Sequence, residues 1–315
     1  MKSNLTTKFI DPTTDFGFKR IFGSEPNKDL LISFLNGLFN GRKEIVDLVY
    51  NKNEYVGDAG DIGSVIFDLT CTSISGEQFI IEVQRSSQVN LKKRMLYYGS
   101  KIIADQAPKG NRREWNYAIS EVYVIVLMDG FVFQDTNSRD QVLHDICLCY
   151  RETGEIFYED LGFIYIQLLN FVKAEEELTT DLERWLHVLC HMSNMDKLPS
   201  YQRQPIFKKL FKIAEYSHMT KEERDMYNVS LKRKWDAEAV RQYQEQELEK
   251  AIKKGIEQGI EQGIEQGIEQ GIAKSKREEQ ARIEAMVIEM KKADLSIQQI
   301  AQITGLTQQE IQKLK

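Results

Sequence analysis

A mixed β-sheet flanked by helices, an α/β fold followed by an all-helical C-terminal region, is predicted for this 315-residue chain by three observations. Two segments, Ser64 to Ser73 and Glu77 to Gln84, alternate at period two and meet around Ile74-Ser75-Gly76, the pattern of a hairpin. Seven residues from Val122 to Met128 are uninterruptedly apolar, as a strand covered on both faces must be. From Glu175 onward every apolar repeat has helical spacing.

The elements follow in order. Phe16, Phe18, Ile21 and Phe22 read as an anchor for the amino terminus, with Asp15 placed to cap a helix. Asp29 to Phe39 is amphipathic (Leu30, Leu31, Phe34, Leu35, Leu38) and Asn40-Gly41 stops it. Ile45 to Val56 reads as a first strand, and the hairpin comes next. Gln88 to Gln106 is a helix broken by Pro108-Lys109-Gly110-Asn111, after which the Val122 to Met128 strand enters the centre of the sheet. Val142 to Tyr150 and Ile156 to Tyr158 flank a turn at Glu152-Thr153-Gly154, and Phe163 to Leu169 extends the sheet.

The hairpin carries the chemistry. A three-residue loop usually ends in a residue with positive φ, which Gly76 supplies. That loop sets Ser73 against Glu77, Thr70 against Ile80 and Asp68 against Glu82. Alternation then puts Glu82 and Gln84 on one face, leaving Val65, Phe67, Leu69, Cys71, Phe79, Ile81 and Val83 as an apolar face for packing. Facing carboxylates repel unless a cation or proton intervenes. Hard oxygen donors of this kind suit Mg²⁺ or Mn²⁺. A solvated hairpin face with ordinary surface carboxylates is the competing reading, opposed by the aliphatic neighbours of Glu82.

Phe67-Asp68 followed by Glu82-x-Gln84 resembles the PD-(D/E)XK nuclease signature, in the variant of the Rpn family of recombination-promoting nucleases and putative transposases. Asp15-Phe16-Gly17-Phe18-Lys19-Arg20-Ile21-Phe22 resembles that family's opening, and Arg94-Met95-Leu96-Tyr97-Tyr98, Gln106, Gly110 and Val122 to Met128 resemble its middle. The likeness runs from Phe9 to Phe133 and more loosely into the charged tail. It implies a restriction-endonuclease-like sheet and a Mg²⁺- or Mn²⁺-dependent DNA endonuclease linked to recombination or mobile elements. Asp68, Glu82 and the Val83 carbonyl would hold the metal and Gln84 would position water. It also brings Asp15 or Lys19 near DNA or metal, although a purely structural role for that segment fits equally. Arg94 and Tyr98, four apart on one helix face, can reach phosphate or pin the helix to the sheet. Two positions depart from the wider superfamily: Phe67 stands where proline is common, and Gln84 where lysine is usual. Glutamine orients water only by hydrogen bonds, so activation falls to the metal and activity should be modest. A non-cleaving DNA-binding or oligomerising protein that keeps the fold is the alternative.

Composition narrows the setting. With 42% hydrophobic and 29% charged residues the chain can bury one good core plus appendages. A net charge of −6 gives no global attraction to nucleic acid, so DNA contacts must be local. Lys92-Lys93-Arg94, Arg112-Arg113, Lys208-Lys209 with Lys212, and Lys232-Arg233-Lys234 are the candidate patches, though each reads first as a solvated helix face. Met1 to Thr14 lacks the apolar segment of a signal peptide, and Val122 to Met128 is too short for a membrane span. Four cysteines point to a reducing, cytoplasmic compartment, with Cys147 and Cys149 expected in the core. His187, Cys190 and His191 share a helical turn, but Trp185, Leu186, Val188 and Leu189 around them favour packing over zinc.

Four parts result: a nuclease-like part over 1–172, a helical extension over 173–220, a charged helical spacer over 221–293 and a helix-turn-helix-like tail over 294–315. In the spacer, Gly255-Ile256-Glu257-Gln258 repeats four times. A period of four rotates its isoleucines by about 40° per repeat, so the stripe winds right-handed around the axis. Each glycine costs roughly 1 kcal/mol against alanine, and i,i+4 glutamates repel. Pairing with a second copy through this helix and a plain flexible spacer both fit. In the tail, Leu295 to Leu314 has helix-turn-helix spacing, with Gly305 at the turn and Thr307 capping. Gln308, Gln309 and Gln312 are candidate base contacts, with Lys313 and Lys315 for phosphate, unless the hairpin serves packing alone. A third helix would have to come from Ile283 to Lys292.

Overall fold

The computed structural model describes residues 7–55, 65–108, 115–134 and 139–314. The Arg112-Arg113 patch, Gly110 and Lys315 lie outside them, as do Val56 and Ser64 at two expected strand ends. The chain divides into two units, Met1–Arg241 and Gln242–Lys315.

The first unit opens with α1 (Asp15–Phe22) and α2 (Lys28–Phe39). Thr14, not Asp15, is the N-cap of α1; its hydroxyl accepts from the Gly17 N–H, and Asp15 occupies the first turn. Gly17 is required by close approach, since a Cβ there would lie 2.1 Å from the Asp11 carbonyl oxygen. Asn40, in the left-handed region, ends α2 at the expected place.

Strands β1 (Leu48–Tyr50), β4 (Leu69–Ser73), β5 (Gln78–Gln84), β6 (Val122–Met128), β7 (Leu143–Cys149) and β8 (Ile156–Gln167) form a six-stranded sheet in the order β1-β4-β5-β6-β8-β7. The two central pairings, β5–β6 and β6–β8, are parallel, and the outer three are antiparallel. Helix α3 (Leu91–Asp105) lies in the crossover that a parallel β5–β6 pair needs. A separate two-stranded ribbon, β2 (Glu54–Tyr55) with β3 (Val65–Ile66), occupies the ends of what reads in sequence as two longer strands. The hairpin register is as expected, with Thr70 opposite Ile80 and Gly76 at φ 105°. The two segments Ile156 to Tyr158 and Phe163 to Leu169 prove to be largely one strand.

Both sheet faces are covered. Phe79, Ile81, Tyr123, Ile125 and Leu127 pack toward α1, α2, α4 (Asp181–His191) and α5 (Pro205–Ala214), while Ile80, Val122, Val124 and Val126 pack toward α3. Trp185 is fully buried on the first face, with its ring within 5.0–6.1 Å of those of Phe22, Phe34 and Phe207. Phe67 departs from its expected face and joins the α3 side, because the strand bends between β3 and β4. Cys147 and Cys149 are not core; β7 is an edge strand, and Cys149 is exposed. His187 bonds the Tyr201 hydroxyl at 2.9 Å and the Cys190 thiol donates to the Leu168 carbonyl, in keeping with packing rather than zinc.

Helix α6 runs from Lys221 to Lys292. Its first turns belong to unit one: Tyr227 is buried, its hydroxyl accepts from the Asp11 N–H, and the Ser230 hydroxyl accepts from the Phe16 N–H. In the second unit the repeat isoleucines Ile256 to Ile272 are 54–59% exposed, and a Cβ on any of the five repeat glycines would meet nothing within 4 Å. Ile283, Val287 and Met290 of α6 pack with α7 (Ile297–Thr304) and α8 (Gln308–Lys313) through Ile300 and Ile311, so the end of α6 does supply a third helix. Gly305 takes φ 72° at the turn and Thr307 caps α8, as their spacing predicts. No described helix is long and apolar enough to cross a membrane.

Candidate active site

Asp68 stands at the bend where β3 gives way to β4. The Phe67 N–H turns away from β5 and donates to the Asn53 carbonyl at 2.8 Å. The Asn53 side chain completes the splint: its amide donates to the Asp68 carbonyl at 3.2 Å and its oxygen accepts from the Thr70 N–H at 3.1 Å. Phe67, buried and edge-on to Tyr98 with ring centroids 5.0 Å apart, fixes the bend from below.

Across the bend, Glu82 and Asp68 are interlocked through the backbone. The Asp68 N–H donates to Glu82 Oε1 at 3.2 Å, and the Val83 N–H donates to Asp68 Oδ2 at 2.8 Å. Gln84 Nε2 donates to Glu82 Oε2 at 3.1 Å. Val83 presents its N–H and carbonyl to the β4 side, and the β4–β5 pairing ends at Leu69↔Ile81, so the carbonyl is released from the ladder beside Asp68. The sequence therefore places Asp68, Glu82, Val83 and Gln84 together, and the structure does the same.

The electrostatics are those of a strained carboxylate pair. Burial raises the Asp68 carboxyl above its ordinary value, the Val83 N–H opposes the rise, and Asp15 adds to it while Lys19 and Arg85 act against it. Burial and then the Asp68 charge push Glu82 up to about 8, with Arg94 among the groups pulling it back. Asp15 and Lys19 form an exposed i,i+4 ion pair at 2.8 Å within the field of Asp68. Arg94 hydrogen-bonds Gln88 Oε1, lies over the Tyr98 ring at 5.7 Å, and has a buried Nε with no hydrogen-bond partner. Burial, and then the Glu82 charge, raise the Tyr98 hydroxyl. Among the described residues no three His, Cys, Asp or Glu side chains cluster as a metal cage. The donor set that does exist, two carboxylates and a carbonyl, fits a hard cation that keeps several waters of its own.

Sequence reasoning missed a cluster of charged residues that reaches Gln84 through the Asp129 N–H. Lys234, read in sequence as part of a solvated patch, turns inward and meets Asp11 and Asp129 at 2.8 Å each, while its neighbours Lys232 and Arg233 are exposed. Burial works against its charge, but the two aspartates hold its pKa above the ordinary lysine value. Arg85 donates to the Thr13 carbonyl. Asp11, Arg85, Asp129, Lys234 and Arg241 line one side of a cavity of about 740 Å³. Asp11 lies just before the Asp15 to Phe22 motif and carries no signal of its own, and nothing local marks Lys234 as different from its neighbours. Gln308, Gln309, Gln312 and Lys313 are exposed on α8 of the second unit.

No curated protein and no solved structure gives a significant match to the chain. A family model does: the PD-(D/E)XK nuclease family transposase model matches residues 12–244, a span containing the hairpin, the sheet and the first turns of α6. The mixed six-stranded sheet flanked by helices, with its interlocked aspartate and glutamate, thus belongs to a chain of the PD-(D/E)XK nuclease family transposases.

Proposed function

We propose that the chain is a divalent-metal-dependent DNA endonuclease in which Asp68, Glu82 and the Val83 carbonyl hold Mg²⁺ or Mn²⁺. Family membership supports a nuclease- or transposase-related role, and the carboxylate pair carries the finer reading. Two carboxyls pushed up by burial, Glu82 further by the Asp68 charge and Asp68 by Asp15, make a site whose ionised form is completed by a cation. When bound, such a cation lowers the pKa of a water and neutralises charge building on a phosphodiester.

The chain's own groups do the rest. Gln84, tethered to Glu82, orients the attacking water by hydrogen bonds and cannot take its proton. Arg94 offers its guanidinium to a phosphate oxygen, and Tyr98, over whose ring it lies, keeps it in place. Lys19 and Asp15 at the rim steer the strand entering the site. Exposed Gln308, Gln309, Gln312 and Lys313 offer a separate DNA contact through the helix-turn-helix-like tail, and the spacer offers pairing with a second copy. The four-part division at 172, 220 and 293 and a reducing, cytoplasmic setting with four free cysteines complete the reading, with recombination or mobile-element breakage as its biological use.

The test is nicking of supercoiled plasmid in Mg²⁺ or Mn²⁺ by wild type and by Asp68→Ala. Loss of at least about 100-fold in the variant is expected, more than removal of an outer-sphere metal partner costs. Equal nicking by both proteins refutes the assignment. A binding-only protein would bind DNA without cutting in either form.

A further inference from the structure

We propose that Lys234, carried by the long helix α6, is a positioning residue for Gln84, and so completes the site described above from outside the sheet. The inference rests on the assignment of Gln84 as the water-orienting group. It is drawn from a chain of contacts leading away from that residue.

Gln84 is the last residue of β5, and strand ends open most readily. Its carbonyl accepts from the N–H of Asp129, which itself lies one residue beyond the end of β6. This final rung is therefore made by two terminal residues, and the sheet alone does little to hold it. Asp129 is held from its other end: Oδ2 receives Lys234 Nζ at 2.8 Å and the Thr13 hydroxyl at 2.7 Å. Lys234 also bridges to Asp11 Oδ2 at 2.8 Å and donates to the Thr13 hydroxyl at 2.6 Å. Arg85, the residue after Gln84, donates through Nε to the Thr13 carbonyl at 3.1 Å. Gln84 is thus pinned across the rung by Asp129 and along the chain by Arg85, and both pins converge on the Asp11–Thr13 turn that Lys234 gathers.

Two carboxylates share one ammonium, in a setting where the Lys234 side chain is 21% exposed and that of Asp11 only 11%. Removing the lysine leaves two carboxylates facing each other, which drives Asp129 away and loosens the rung it makes with Gln84. Gln84 must keep its amide 3.1 Å from Glu82 while presenting its oxygen to water, and a shift of about 1 Å in such a group can cost on the order of 100-fold in rate. The proposed metal donors Asp68 and Glu82 are tied to each other by the Asp68 and Val83 N–H groups, and the hydrogen bond from Gln84 to Glu82 is their link to this cluster.

The experiment is a double-mutant cycle on the full chain: wild type, Lys234→Met, Gln84→Ala and the pair, with kcat and KM for plasmid nicking and Mn²⁺ affinity measured for each. Lys234→Met is expected to lower kcat by about 10- to 100-fold with KM unchanged and a clearly smaller loss of Mn²⁺ affinity, and to add little once Gln84 is alanine. Asp129→Asn, which weakens the ion pair but keeps the backbone rung and the side-chain volume, runs as a parallel cycle in case the lysine variant does not fold. Independent losses that multiply in the double variants overturn the proposal, as does a loss confined to thermal stability. Nicking that is indifferent to Asp68→Ala removes the site assignment and this inference together. Nicking that needs Asp68 but gives multiplying losses removes this inference alone.

Discussion

Glu82 carries an electrostatic conflict, since it is almost fully buried and faces a second carboxyl. Its raised pKa means that the fold keeps a proton the unfolded chain has already released. Without metal, stability should therefore fall as pH climbs from the ordinary carboxylate value of about 4.3 toward about 8. Glu82→Gln should remove that loss. In chelator the variant should melt above wild type at about pH 9 and close to it at about pH 4. A constant difference across that range would show that Glu82 is not the titrating group. At the same scale, Gln84→Ala should lower nicking by about 10- to 100-fold with a clearly smaller loss of Mn²⁺ affinity, because Gln84 bonds the donor Glu82 and is not itself a donor. Comparable loss of Mn²⁺ binding would instead make Gln84 part of the metal shell.

The elements position this site through packing, and their packing can be broken singly. Trp185 joins α4 to α2 and α5 on the sheet face away from Asp68. Trp185→Ala should cost about 3–5 kcal/mol by thermal or denaturant unfolding, the range for deleting a large buried aromatic. A change below about 1 kcal/mol would mean the three helices are held otherwise. Legibility differs by element for physical reasons. The hairpin, β6 and the Gly305 turn could be read directly, because loop length, an uninterrupted apolar run and a left-handed residue are local signals. The bend at Phe67-Asp68 could not, because Asn53, some fifteen positions away, imposes it through three hydrogen bonds. Cys147 and Cys149 alternate as core residues do, but edge position in a sheet has no mark in local periodicity. Lys234 sits among lysines and arginines, and only the tertiary approach of Asp11 and Asp129 separates it from them.

Across the whole molecule, a net charge of −6 leaves DNA attraction to local cations such as Arg94 and Lys19, so binding should weaken steeply with salt without any long-range steering. The repeat segment of α6 makes a separate prediction. Alanine at Gly259, Gly263 and Gly267 meets no steric obstacle and should stabilise the helix by about 1 kcal/mol per site, seen as higher helicity and later melting by circular dichroism. If those glycines instead serve close backbone pairing, the same substitutions will shift the sedimentation coefficient toward monomer. Deleting 255–272 with no change in sedimentation removes the pairing idea. The central claim, that Asp68 and Glu82 share one divalent cation, is tested most directly by anomalous diffraction from a crystal soaked in Mn²⁺. A single peak within about 2.2 Å of an oxygen of each carboxylate is the predicted result. Full occupancy elsewhere on the chain, with none between Asp68 and Glu82, would contradict it.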